Sequence, residues 1–148
     1  MSHQKKKHQK QIHKDKALTG FYSRKDKDLY DVEVYVALRN LPQKLPTSKG
    51  TMVAFGKGKR DEGVYEHIAL KRHELRVVDI LAIPLILLDP KSIVADRKSK
   101  RYENYVGDRP GNKVKPPFLK IITKKGSGKK ESKEQEEFVT VYTVKSKK

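Results

Sequence analysis

Four ionisable side chains, His67, Lys71, Arg72 and His73, fall within seven residues of one another. An imidazole titrates near neutral pH, so two histidines can supply one proton acceptor and one proton donor at the same time. A lysine or arginine beside them stabilises negative charge as it develops on a reacting group. These residue types suit acid–base chemistry on an anionic substrate, with Glu66 as an alternative base. On an ideal helix, residues six apart point about 120° from each other. His67 and His73 therefore do not share one metal ion unless the helix breaks between them, and neither a metal nor a cofactor is expected.

The cluster leads directly into the densest apolar run of the chain, Val77, Val78, Ile80, Leu81, Ile83, Leu85, Ile86, Leu87 and Leu88. Val64, Ile68 and Leu75 recur at helical spacing, which predicts an amphipathic helix from Val64 to about Leu75, with Asp61 and Glu62 placed well at its positive end. Val77 to Leu81 continues the helical pattern, and Pro84 suits the first turn of a further short helix ending at Asp89 and Pro90. Ser92 to Ala95, Tyr102 to Val106, Phe118 to Thr123 and Phe138 to Val144 read as strands separated by Lys-rich or Gly-containing turns. Upstream, Leu29 to Leu38 alternates Val32, Val34, Val36 and Leu38 with Asp31, Glu33 and Tyr35, the pattern of a half-buried strand. Thr51 to Phe55 reads as a second strand, and the two are expected to pair as a hairpin. GKGKRDEG lacks the spacing of a phosphate-binding loop and reads as a mobile connection.

The chain of 148 residues carries a formal charge of +17 and no cysteine. Its length fits one modest core, and the absence of cysteine excludes disulfides, thiolate zinc sites and a cysteine nucleophile. A charge this large calls for an anionic partner, for which nucleic acid is the leading candidate. The longest apolar run is about a dozen residues against the ~20 a membrane helix needs, so no membrane span is expected. MSHQKKKHQKQIHKDK has no apolar segment after its basic start, which predicts a cytoplasmic protein rather than a secreted one. His3, His8 and His13 recur every five residues, matching neither a helix face nor a metal spacing. The organisation read from these patterns is a basic flexible arm over residues 1–28, a β-hairpin extension over 29–62 and a main unit over 63–148. The Lys124 to Gln135 link reads as a hydrophilic hairpin loop able to clamp a nucleic-acid backbone.

A helix bearing HIxxKRH, an apolar stretch closing on LLDPKSIVAD and a final strand FVTVYTV together resemble the phage-associated branch of the barnase/EndoU/colicin/RelE-like nuclease superfamily. The resemblance covers about Gly63 to Val144. It implies an α+β fold in which one or two helices pack on a four-stranded antiparallel sheet. It further implies a site made of His67 and His73, a basic residue at Lys71 or Arg72, and Thr140 and Tyr142 on one face of the last strand. The implied activity is metal-independent cleavage of RNA by its 2′-hydroxyl, as in a phage or mobile-element toxin, with a cognate inhibitor protein as a further partner. A non-catalytic nucleic-acid-binding or inhibitory protein using the same basic cleft accounts for the charge equally well.

Overall fold

The computed structural model describes residues 31–56, 59–71, 74–96, 100–125 and 135–147, with residues 59–62 and 71 described by their backbone alone. The predicted arm at 1–28, its three histidines, Arg72, His73 and most of the predicted clamp loop lie outside these residues. The chain is α+β, with its helices on one face of a six-stranded mixed sheet. This is two strands more than the sheet implied by the resemblance.

The first described element corrects the sequence reading. Val32–Arg39 is a helix, α1, where alternation predicted a strand. Asp31 caps it, its Oδ1 accepting from the Val34 N–H at 3.0 Å, and its own N–H donates to the Ala69 carbonyl at 3.2 Å. Period-two alternation assigned Tyr35 to the solvent side, yet Tyr35 is fully buried with Val34, Leu38 and Leu41. Positions 34, 35, 38 and 41 form one stripe of a helix, so tertiary burial overrides the preference of valine for strands.

The hairpin is shorter and differently placed than expected. β1, Lys44–Pro46, lies between the two predicted strands, and pairs antiparallel with β2, Met52–Ala54. Each buries its middle residue, Leu45 or Val53. β2 also pairs in parallel with the start of β6, which a hairpin with α1 cannot provide.

The chain then enters α2, Lys59–Lys71, which begins earlier than predicted and takes up most of the supposed mobile connection. α3, Val77–Leu81, and α4, Ile83–Leu88, follow, with Pro84 in the first turn of α4 as its fixed φ favours. β3, Ser92–Ala95, β4, Tyr102–Asp108, β5, Phe118–Lys125, and β6, Gln135–Val144, return as an antiparallel meander. The strand order is β1-β2-β6-β5-β4-β3, with β2 and β6 the parallel pair.

The core lies between this sheet and the helices. Ile68, Ile80, Ile83 and Leu87 from the helices pack with Tyr105, Leu119, Ile121 and Val141 from the strands, all fully buried. Phe138 of β6 stacks on Phe55, ring centroids 4.7 Å apart, and lies 6.1 Å from Tyr65 of α2. Gly107 lets α4 approach β4: a Cβ there would sit 2.8 Å from two carbons of Ile86.

Candidate functional site

Strand register decides where the predicted site residues point. Val141 pairs with Ile121 and Ile121 with Tyr105, all three facing the helices. Successive side chains of a strand alternate faces. Thr140, paired with Ile122, and Tyr142, paired with Lys120, therefore point to the opposite face. His67 is exposed on α2, whose buried side is Tyr65, Ile68 and Ala69. The described members of the predicted site thus lie on two sides of the sheet. Lys71 closes α2.

A bulge causes the mismatch. Thr123 pairs with Phe138 but Ile122 pairs with Thr140, leaving Val139 as an extra residue in β6. One inserted residue inverts the facing of everything after it. Glu136 and Phe138 face the helices before the bulge, and Val141 and Thr143 do so after it. Thr143 is consequently the β6 hydroxyl that meets the segment between α2 and α3, donating from Oγ1 to Glu74 Oε1 at 3.1 Å. Thr140 Oγ1 is buried, with no hydrogen-bond partner among the described residues.

Two buried carboxylates that pattern reading did not single out organise the helix-facing side. Asp79, fully buried in the first turn of α3, accepts from Arg109 Nε at 3.1 Å and Nη2 at 2.8 Å. It also accepts from the Arg76 backbone N–H at 2.7 Å and Arg76 Nη2 at 2.9 Å. Burial disfavours its charge, but hydrogen bonds from Arg109 and Arg76 outweigh this and hold it below the usual carboxylate range. Arg109 also donates to the carbonyls of Pro116 and Glu74, and Arg76 to that of Pro110. The cluster ties the start of α3 to the β4–β5 loop.

Glu136, the second buried carboxylate, accepts from Tyr105 at 2.8 and 2.9 Å and from the hydroxyls of Thr123 and Thr51. Thr51 meets Thr47 at 2.6 Å, which extends the chain of hydroxyls into the β1–β2 turn. Burial, followed by the carboxylate of Glu136, pushes the Tyr105 phenol well above its ordinary value. Near the same end of the sheet, Glu103 takes Lys125 at 2.7 Å and Lys49 at 3.3 Å. Its partial burial opposes ionisation, yet these lysines keep its carboxyl below the usual range. The hydroxyl network secures β2 beside β6, because Thr51 immediately precedes β2 and Glu136 pairs with Val53.

The face turned away from the helices has a different chemistry. Lys120 Nζ lies 5.9 Å from the centre of the Tyr142 ring, within cation–π reach. Tyr102 pairs across the strands with Lys124, and Phe118 with Val144. These side chains are half-buried rather than enclosed. Aromatic surfaces and ammonium groups therefore share one pleated surface. The chain beyond β6 returns toward β3, where Ser92 Oγ donates to the Lys147 carbonyl.

Among the described residues no group of three or more histidine, aspartate or glutamate side chains is arranged to hold a metal ion, and no helix is long and apolar enough to cross a membrane. Compared with protein-family models, curated proteins and solved structures, the chain finds no match in any of the three.

Proposed function

We propose that the chain binds nucleic acid, RNA in preference, through the half-buried aromatic and lysine side chains of the sheet face opposite the helices. The observation carrying this reading is the Lys120–Tyr142 pair, with Tyr102 and Lys124 on the same surface of a chain whose charge is +17. Bases of a single strand stack on aromatic rings at about 1–3 kcal/mol each, while lysines neutralise phosphates and release counterions. Filter binding of single-stranded RNA at several salt concentrations tests it. Tyr142→Ala should weaken binding by about 1–3 kcal/mol at every salt concentration. Lys120→Ala should lower the slope of log affinity against log salt by about one. Affinity and slope that neither substitution changes would remove this surface from the account.

A second reading, metal-independent cleavage of RNA, is favoured by the Glu74–Thr143 contact, which joins the residue after His73 to the last strand. In this form His67 and His73 exchange the protons, Lys71 or Arg72 stabilises the phosphorane, and Thr143 rather than Thr140 or Tyr142 borders the reacting groups. RNA incubated with the protein in EDTA separates the two readings. Cleavage that persists in chelator and disappears in His67→Ala supports catalysis; RNA retained intact supports binding alone.

A further inference from the structure

We propose that the apolar stripe along α3 and α4 is the surface through which two copies of this chain pair about a two-fold axis. The inference is independent of the nucleic-acid reading. Val78, Leu81, Leu85 and Leu88 are 45, 62, 68 and 49% exposed. They follow one another at steps of three, four and three, the spacing of a single helical face. The two helices run on through Ala82, which keeps αR backbone geometry and donates to the carbonyls of Val78 and Asp79. The stripe is therefore continuous over about 15 Å. The side of these helices that faces the sheet already contributes Ile80, Ile83, Ile86 and Leu87 to the core.

Charge favours a second copy as the occupant. Two chains of +17 repel at most surfaces, but the stretch from Val77 to Pro90 contains no lysine or arginine. The order of residues is also self-complementary. Laid antiparallel about Ile83, Val78 meets Leu88 of the second copy and Leu81 meets its Leu85. The same register brings Arg76, whose side chain is 40% exposed, toward the exposed Asp89 of the second copy. A two-fold contact requires this reciprocity, residue i on j and j on i. The patch is small, so the dimer is weak, with a dissociation constant on the order of 10 µM.

Sedimentation equilibrium of the full chain is the primary test. A concentration-dependent dimer is expected, with Leu85→Asp raising its dissociation constant at least about thirtyfold while leaving the melting curve unchanged. The chain has no cysteine, so geometry can be read by cross-linking. Oxidising a mixture of Leu81→Cys and Leu85→Cys chains should give more cross-linked product than either variant alone. A monomer up to about 500 µM, fifty times the expected constant, overturns the proposal. So does a Leu85→Asp chain that dimerises normally, or cross-linking no greater in the mixture. Monomeric protein that floats with neutral phosphatidylcholine vesicles only when Leu85 is intact would assign the stripe to lipid and also overturn it.

Discussion

Asp79 governs the attachment of α3 to the rest of the protein. Arg109 is almost wholly buried against it, so removing the carboxylate strands a cation away from water. Asp79→Ala should cost about 3–5 kcal/mol in urea unfolding, a large part of the 5–15 kcal/mol typical of a domain. The carboxylates also set an acid limit. Asp79 and Glu103 both have folded-state pKa values below the ordinary range. Their stabilisation is complete above the unfolded values of about 4 and is lost as pH falls through the lower folded values. Tyr105 acts in the opposite direction: its raised pKa stabilises fully below the unfolded value of about 10 and is lost as pH rises beyond it. Melting temperature against pH should fall at both ends. Tyr105→Phe should selectively flatten the alkaline limb, separating this effect from lysine deprotonation. None of these partners was legible in the sequence, since Asp79 stands inside an apolar run and Glu136 falls between the hydrophilic link and the last predicted strand. Their importance comes from residues 30 or more positions away.

At the scale of elements, the sequence displayed what local periodicity encodes. α3, α4 and the four meander strands fall where their apolar spacing and Pro84 placed them, with strand ends extended by a few residues. α1 was misread because Val32, Val34 and Val36 satisfy alternation while the burial of Tyr35, the decisive fact, depends on α2 and α3 packing beside it. β1 was missed because three residues around a single buried leucine carry too little pattern. The facing of Thr140 and Tyr142 was lost for a different reason: Val139 is an ordinary strand residue, and only its pairing reveals the bulge. The contact of α4 with β4 yields a prediction of its own. Gly107→Ala forces a methyl group into Ile86 and should destabilise the protein by about 1–3 kcal/mol, which thermal unfolding measures. Combining it with Ile86→Ala, which removes both γ carbons, should cost less than the sum of the two single losses.

Across the whole molecule, the two faces of the sheet differ in chemistry. The helices bury Tyr105, Leu119, Ile121 and Val141 on the first side, while Tyr102, Lys120, Lys124 and Tyr142 occupy the second. The charge that pointed to an anionic partner was plain in the composition, whereas the surface proposed for it required the register of β4, β5 and β6. Ultraviolet cross-linking of bound single-stranded RNA, followed by peptide mapping, tests that assignment most directly. Adducts on Tyr102, Phe118 and Tyr142, competed away by unlabelled RNA and weakened by salt, are the predicted result. Adducts confined to the end of α2 and the neighbourhood of Thr143, with the outer sheet face unmarked, would contradict it.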